Sequence, residues 1–284
     1  MTTAAPAYER ATSLALALDR LGAGGVTIIA GGTDYYPSRV GRPTDAALLD
    51  IADLPELRGI TSEIDHWRIG AAATWADLLD APLPAAFDGL RQAAREVGGL
   101  QIQNAGTIGG NLCNASPAAD GIPALLALDA TVELRSSAAT TTIPLSSFIL
   151  GPRRTRRTPD QLVTAVLVPH ARHAVTSRFV KLGARRYLVI SIVMASACLE
   201  VNDAGKITAA RVAVGACSPV ARRLPTLEQR LVGTRFGSGL GGLVAHDHLA
   251  PLSPIDDVRA SRAYRIDAAR TVVARLLDDL PTPR

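Results

Sequence analysis

The most informative stretch of this chain is T-I-G-G-N-L-C-N-A-S-P-A-A-D, at residues 107–120. It places the glycine pair Gly109 and Gly110 among hydroxyl and amide side chains, and it ends in the carboxylate of Asp120. A glycine pair lets backbone N–H groups approach a ligand closely, and small polar side chains can complete a cradle for an anion. The stretch therefore predicts a phosphate-binding turn, and Asp120 is suited to accept hydrogen bonds from ribose hydroxyls.

A second stretch of similar composition, A-G-G-T-D at residues 30–34, directly follows the apolar run V-T-I-I-A, which is typical of a short buried strand. Backbone N–H groups from two such turns could bind both phosphates of a dinucleotide. The fingerprint G-x-G-x-x-G is absent, because Gly22 and Gly24 begin it but Thr27 stands at its third position. A Rossmann domain is therefore disfavoured. Two ordinary tight turns remain the alternative to a binding site.

Composition limits the classes of protein to which this chain can belong. Its 284 residues are 48% hydrophobic, which is enough for two domains, one of them subdivided. The three cysteines are widely spaced, which indicates a reducing compartment and too few thiolates for an iron–sulfur cluster. The net charge of +4, with few aromatic residues among the basic ones, does not favour nucleic-acid binding. No signal peptide or membrane-spanning run is found, so a cytoplasmic location is expected.

The pattern of apolar residues predicts a mixed α+β protein without regular βαβ alternation. Thr74 is a predicted N-cap, and a β-hairpin is predicted over residues 195–216 with its turn at 202–205. A domain boundary is expected near residues 169–175, and the Thr/Ser-rich segment before residue 148 has no predicted structure. The remaining predicted elements are helices over 9–21, 84–98, 122–130, 224–232 and 258–280, and strands over 26–30, 45–51, 66–72, 131–137 and 161–169.

Several segments together resemble one known family, the FAD-binding medium subunit of molybdenum-containing hydroxylases, which includes the flavoprotein subunits of xanthine and carbon monoxide dehydrogenases. The segments are A-G-G-T-D, residues 107–120, F-V-K-L-G-A-R-R-Y-L-V-I-S-I-V-M-A-S-A, G-A-C-S-P-V-A-R-R and D-V-R-A-S-R-A-Y-R-I-D-A-A-R-T-V-V-A-R-L-L. The resemblance implies an FAD-binding fold of two α/β subdomains, of the vanillyl-alcohol-oxidase (PCMH) type, over residues 1–57 and 58–172. A C-terminal flavoprotein domain, an antiparallel sheet with helices, would occupy residues 175–284.

The resemblance also implies a set of cofactor-binding residues. A first pyrophosphate loop would comprise Ala30, Gly31, Gly32, Thr33 and Asp34, and a second would comprise Thr107, Ile108, Gly109, Gly110 and Asn111. Asp120 would bind ribose and Val97 would touch the cofactor. Lys181 would lie near the flavin, where a cation stabilises the negative charge of the reduced ring. No catalytic residue and no metal ligand is expected on this chain.

The implied function is electron transfer within a complex. A large subunit would hold the molybdopterin cofactor, a small subunit would hold 2Fe-2S clusters, and the assembly would be a dimer of heterotrimers. Two alternatives stay open: a stand-alone flavin oxidase or reductase, and a non-catalytic FAD-binding module. At residues 153–157 relatives often carry a leucine against the flavin, whereas this chain has Arg156 and Arg157 in a run of four arginines. A run of this kind is usually a solvated loop, although it could meet a nucleotide phosphate or a partner subunit.

Overall fold

The structure is a computed structural model that describes residues 8–41 and 47–284. Its first layer is a small parallel sheet. The strands are β1 (Tyr8–Arg10), β2 (Val26–Ile29) and β3 (Ala47–Asp50), in the order β1-β3-β2. Helix α1 (Leu14–Gly22) joins β1 to β2 and packs its apolar face on this sheet. Because parallel strands end at the same edge, residues 30–34 leave the sheet at the edge where β3 also ends.

The second layer is a five-stranded antiparallel sheet. The strands within residues 60–169 are β4 (Ile60–Ser62), β5 (His66–Gly70), β6 (Thr131–Arg135), β7 (Thr140–Pro144), β8 (Ile149–Gly151), β9 (Arg154–Thr155) and β10 (Leu162–Pro169). Five of them form this sheet, in the order β4-β5-β10-β6-β7. Among the described residues, strands β8 and β9 pair with each other and with no other strand, as a separate small hairpin.

Helices fill the space between this sheet and the rest of the chain. They are α2 (Trp75–Asp80), α3 (Asp88–Glu96), α4 (Leu100–Ala105), α5 (Ile108–Asn114), α6 (Gly121–Ala127) and α7 (Leu145–Phe148). The predicted N-cap at Thr74 is confirmed, because its side chain accepts a hydrogen bond from the Asp77 N–H at 3.1 Å and the Asp77 carboxylate accepts one from the Thr74 N–H at 2.8 Å.

The C-terminal sheet is buried on both faces. It has the order β11 (Ala174–Leu182), β12 (Val193–Val201), β13 (Ile207–Gly215) and β14 (Arg222–Arg223), and all pairs are antiparallel. Along β12, Met194 and Cys198 pack into the core shared with α3 and α6, whereas Val193 and Leu199 face α8 (Pro225–Leu231) and α9 (Arg262–Asp278). This alternation is the period-two pattern of a strand, and the predicted hairpin over β12 and β13 is confirmed.

The C-terminal sheet is tied to the helices of the middle layer at α3. Gly89 approaches the strand so closely that a Cβ there would lie 3.1 Å from backbone atoms of Arg178. The Gly89 N–H donates to Ser177 Oγ at 2.9 Å, and the Phe179 N–H donates to Gln92 Oε1 at 2.8 Å. These contacts fix the first half of α3 relative to β11, and the Val97 segment follows the end of this helix.

Several predicted elements differ from the observed ones. The helix predicted over 9–21 begins at Leu14, because residues 8–10 pair with β3 and Ser13 caps the helix. The helix predicted over 84–98 is a short 3-10 turn followed by α3, and the C-terminal helix begins at Arg262 after the cap residue Ser261. The Thr/Ser-rich segment forms β7 against β6. Residues 45–46 of the strand predicted over 45–51, and residues 1–7 of the first predicted domain, lie outside the described residues.

A buried arginine holds the C-terminal domain together. The Arg265 side chain is 1% exposed, and it donates to the Ile192 carbonyl at 2.6 Å, the Ala216 carbonyl at 3.0 Å and the Asp257 carboxylate at 2.7 Å. Arg259 also contacts this carboxylate, and the hydrogen bonds from the two arginines hold the pKa of Asp257 well below its usual value. The loop before α9 is therefore anchored to the start of β12.

Replacing Arg265 with Met should lower the free energy of unfolding by about 3–5 kcal/mol, because the Asp257 carboxylate and two carbonyl groups would lose a buried charged donor. The matched control is Arg270→Met on the same helix, where the side chain is 51% exposed and meets Asp267 only at 3.7 Å. That change should cost about 0.5 kcal/mol or less. Urea denaturation of both variants measures the difference, and equal losses would contradict this role for Arg265.

Candidate functional site

A cavity of about 700 Å³ opens where the parallel sheet meets α5. Its wall contains residues from both glycine-rich stretches, the one after β2 and the one at the start of α5. Its size lies within the range typical of cofactor and ligand sites. Two segments that are far apart in the sequence thus form one concave site.

Most of the residues expected to bind a cofactor line this cavity: Ala30, Gly31, Gly32, Thr33, Asp34, Val97, Thr107, Gly109, Gly110 and Asn111. Three of the expected residues do not line it. Ile108 is fully buried in the core of the middle layer. Asp120 and Lys181 lie away from the wall and contact each other.

The first loop, residues 30–34, offers unpaired backbone donors. In the part of the chain that the structure describes, the N–H groups of residues 31–34 form no hydrogen bond, although the Gly32 carbonyl accepts from the Tyr36 N–H at 3.1 Å. Gly32 has a φ of 67°, a left-handed conformation that side chains disfavour. A run of free N–H groups around a left-handed glycine is the geometry of an anion-binding nest.

The second loop differs from its expected conformation. Residues 108–114 are the helix α5, with Thr107 as its N-cap, so the expected turn with free N–H groups is wrong here. The Ile108 and Gly109 N–H groups donate to the carbonyls of Ala73 and Ala71 at 2.9 and 2.8 Å. The Gly110 N–H donates to Thr107 Oγ1 at 3.1 Å. The first N–H groups of this helix are therefore satisfied within the protein.

What the second loop offers to the cavity is space and one acceptor. Gly110 is exposed at the wall, and a side chain there would fill part of the cavity. Asn111 also lines the wall, and its side-chain Oδ1 atom is fully buried and has no hydrogen-bond partner among the described residues. A buried acceptor without a partner carries a free-energy penalty of about 1–3 kcal/mol, which a ligand donor would relieve.

Asp120 and Lys181 form a buried ion pair behind the cavity. Lys181 Nζ lies 2.6 Å from Asp120 Oδ2, and the two side chains are 7% and 8% exposed. Ser191 donates to Asp120 Oδ1 at 2.6 Å, and Lys181 also donates to the Glu96 carbonyl at 3.3 Å. Burial raises the pKa of Asp120, against the opposing effect of Lys181 and Ser191. The pair reaches the cavity through Glu96, whose neighbour Val97 lines the wall.

Charged and aromatic side chains that were not among the expected site residues complete the wall. Tyr35 and Arg39 lie within five residues after the first loop. Their closeness to the glycine pair in the sequence is the feature that could have predicted them as site residues. Arg153 and Arg157 come from the arginine run, whose role the sequence left open. Trp75, Cys113, Pro159 and Leu162 also line the wall, and they are brought there by tertiary packing, which no local pattern indicates.

Cys113 does not have the properties of a reactive thiol or a metal ligand. Burial raises its pKa to about 11, so the thiol is protonated at neutral pH. Within residues 8–41 and 47–284, no group of three or more His, Cys, Asp or Glu side chains is arranged to hold a metal ion. No helix in the same residues is long and apolar enough to cross a membrane.

Comparison with known families identifies both parts of the chain. Residues 3–171 match the family described as "FAD binding domain in molybdopterin dehydrogenase". Residues 178–280 match the "CO dehydrogenase flavoprotein C-terminal domain". The first match contains both glycine-rich loops, and the second contains the C-terminal sheet with α8 and α9.

Individual relatives agree with these matches. The chain is 36% identical over 213 residues to the nicotinate dehydrogenase FAD-subunit of Eubacterium barkeri, covering 72% of this chain and 71% of the relative. It is 29% identical to the putative xanthine dehydrogenase FAD-binding subunit of Escherichia coli K12, covering 96% and 94%.

Solved structures give the same result. Carbon monoxide dehydrogenase from Hydrogenophaga pseudoflava superposes with a TM-score of 0.86 at 26% identity, over 98% of this chain and 97% of that one. Quinoline 2-oxidoreductase from Pseudomonas putida 86 gives a TM-score of 0.87 at 25% identity, over 98% and 97%. The chain therefore belongs to the family of FAD-binding subunits of the molybdenum hydroxylases, the oxidoreductases that include xanthine and carbon monoxide dehydrogenases.

Proposed function

We propose that this chain holds FAD in the 700 Å³ cavity and serves as the electron-transfer subunit between the iron–sulfur clusters of a small partner and an external acceptor. The observation that carries the proposal is the meeting of the two loops in one cavity, with four unpaired N–H groups on one side and the unpaired Asn111 oxygen on the other. When bound, FAD supplies reversible uptake of electrons, and the protein supplies binding, orientation and electrostatics.

The first loop fits the diphosphate of FAD. The backbone N–H groups of residues 31–34 have no acceptor among the described residues, and phosphate oxygens accept hydrogen bonds from such groups. Gly31 permits the loop to lie against α4, since a Cβ there would lie 1.8 Å from the Ala105 carbonyl oxygen. Thr33 and Asp34 also line the cavity, where we propose that they orient the ligand.

The second loop fits a different part of the cofactor. Since the N–H groups of Ile108, Gly109 and Gly110 are already bonded, α5 offers a surface without side-chain bulk rather than a set of donors. Asn111 Oδ1 needs a donor, and FAD carries donors in its hydroxyl groups and in a ring N–H. We assign Asn111 to one of these donors, and Thr107 to holding the helix start in place.

The positions of Asp120 and Lys181 favour an indirect role in cofactor binding over direct contact with the cofactor. The direct contacts expected for them, Asp120 to ribose and Lys181 to the flavin, stay predictions. Lys181 donates to the Glu96 carbonyl, and Val97 follows in the wall. We propose that the pair holds the Val97 segment against the C-terminal sheet. Removing either charge would leave the other buried and unpaired, which destabilises a protein strongly.

The partners follow from the family. Relatives bear the names carbon monoxide dehydrogenase medium chain and 6-hydroxypseudooxynicotine dehydrogenase complex subunit alpha, which are names of parts of assemblies. We propose a large molybdopterin-binding subunit and a small 2Fe-2S subunit as partners, in a dimer of heterotrimers in the cytoplasm. A stand-alone flavin oxidase would need its own substrate pocket with a general base. Among the described residues no histidine lines the cavity, and the carboxylate there, Asp34, belongs to the loop that we assign to the diphosphate.

The chain purified by itself should retain about one FAD per polypeptide and no stoichiometric iron or molybdenum. FMN has a single phosphate and would leave part of the first loop without an acceptor. Acid extraction with chromatography of the flavin, together with elemental analysis, makes the measurement. FMN in place of FAD would contradict the assignment of the first loop, and hydroxylation of an aldehyde or an N-heterocycle by the metal-free chain would contradict the subunit role.

Two glycine substitutions should weaken FAD binding for separate reasons. In Gly31→Ala the new Cβ would meet the Ala105 carbonyl at 1.8 Å and push the loop away from α4. In Gly110→Val a side chain would enter the cavity. Each should weaken FAD binding about tenfold or more, as measured by quenching of flavin fluorescence.

The control for both is Gly22→Ala, because no atom lies within 4 Å of a Cβ at Gly22. FAD affinity in this variant should stay within about twofold of the original. Thermal unfolding of the apo-proteins separates loss of binding from loss of folding. Unchanged FAD affinity in folded Gly31→Ala and Gly110→Val proteins would show that the loops are ordinary turns.

A further inference from the structure

The wall of the cavity carries more positive charge than negative. Arg39, Arg153 and Arg157 line it, whereas Asp34 is the acidic residue on the wall. Among the described residues none of the three arginines forms a salt bridge with a carboxylate, whereas several arginines elsewhere in the chain do. A partly enclosed site with uncompensated guanidinium groups attracts an anionic ligand.

Arg157 is held so that part of its guanidinium stays free. Its Nη1 atom donates to the carbonyls of Gln161 and Thr158 at 2.8 and 3.0 Å, which fixes the half-buried side chain. The Nε and Nη2 donors have no acceptor in the described part of the chain. Arg157 lines the cavity together with Cys113 of α5.

Arg153 is held against the same helix. Its backbone N–H donates to the Ala115 carbonyl at 3.2 Å, and its Nη1 donates to Asn114 Oδ1 at 3.1 Å. Its φ of 56° lies in the left-handed region, which non-glycine residues rarely adopt. Such strain persists where surrounding contacts impose it and is common at binding sites.

Arg153, in the turn between β8 and β9, and Arg157, two residues after β9, therefore line the cavity together with one face of α5. Gly110, Cys113 and Asn114 are three and four residues apart, so they share that face, and all three line the cavity. The other two arginines of the run behave differently. Arg154 and Arg156 do not line the cavity, and Arg156 Nε donates to the Ser147 carbonyl at 2.8 Å. The run is thus divided into two arginines at the cavity and two outside it.

We propose that Arg153 and Arg157 supply the positive charge that compensates the diphosphate of FAD. This inference rests on the proposed function. The first loop provides neutral N–H donors, which orient the phosphates but carry no net charge. Arg153 and Arg157 provide the net charge on the wall of the same cavity, the first from the turn between β8 and β9 and the second from two residues after β9. An arginine forms stronger, charge-assisted hydrogen bonds to phosphate than a neutral donor does.

The test compares two double variants that change the net charge of the chain equally. Arg153→Gln/Arg157→Gln removes the arginines at the cavity, and Arg154→Gln/Arg156→Gln removes the ones outside it. FAD is titrated into each full-length apo-protein at about 50 mM and about 500 mM salt, and binding is followed by quenching of flavin fluorescence. The first variant should bind FAD about tenfold or more weakly and lose most of the salt dependence. The second should match the unmodified chain within about twofold.

A third double variant tests whether positive charge alone restores FAD binding. Arg153→Lys/Arg157→Lys retains both charges and should bind FAD within about threefold of the original chain, which also serves if the glutamine variant does not fold. Equal weakening by both glutamine pairs, an unchanged affinity in the first pair, or a tenfold loss in the folded lysine variant would overturn the proposal. If the unmodified chain itself bound no FAD, the proposed function would fail instead.

Discussion

The close approach of two backbone segments, at Gly31 and Ala105, is the constraint on which the site depends. A Cβ at Gly31 would lie 1.8 Å from the Ala105 carbonyl oxygen, so only glycine fits at this contact. On the other side of the same contact, a Cβ at Gly106 would lie 3.4 Å from Thr33 Oγ1. This contact sets the first loop opposite the start of α5. A larger residue at Gly31 would separate the two walls, and the cavity between them would lose its shape.

The two glycine-rich loops resemble each other in composition but contribute different chemistry. The first leaves the N–H groups of residues 31–34 unpaired. The second uses its N–H groups to fasten α5 to the carbonyls of Ala71 and Ala73, at the end of β5. Its glycines therefore serve close packing and open space, and its Asn111 provides an acceptor. The C-terminal sheet completes the arrangement from behind, because Lys181 of β11 holds the Glu96 carbonyl beside the cavity.

How far the sequence predicts the structure depends on how local each determinant is. The Thr74 cap and the β12–β13 hairpin were predicted, because caps, turn residues and period-two alternation act over a few neighbouring positions. Helix α5 was missed, since its first N–H groups find acceptors more than 30 residues away in the chain. The pairing of Asp120 with Lys181 spans 61 residues and could not be inferred from either position alone. Contacts between distant segments also decide which arginines of residues 153–157 line the cavity, so the sequence alone could not separate Arg153 and Arg157 from Arg154 and Arg156.

Amide hydrogen exchange at the two loops, measured by NMR with and without FAD, tests the central claim most directly. The account predicts that the N–H groups of residues 31–34 exchange fast in the apo-protein and become strongly protected when FAD binds. The Gly109 and Gly110 N–H groups, which already have acceptors at 2.8 and 3.1 Å, should show similar protection in both states. FAD binding with no change at residues 31–34, or with new protection at Gly109 and Gly110 instead, would contradict the assignment of the diphosphate to the first loop.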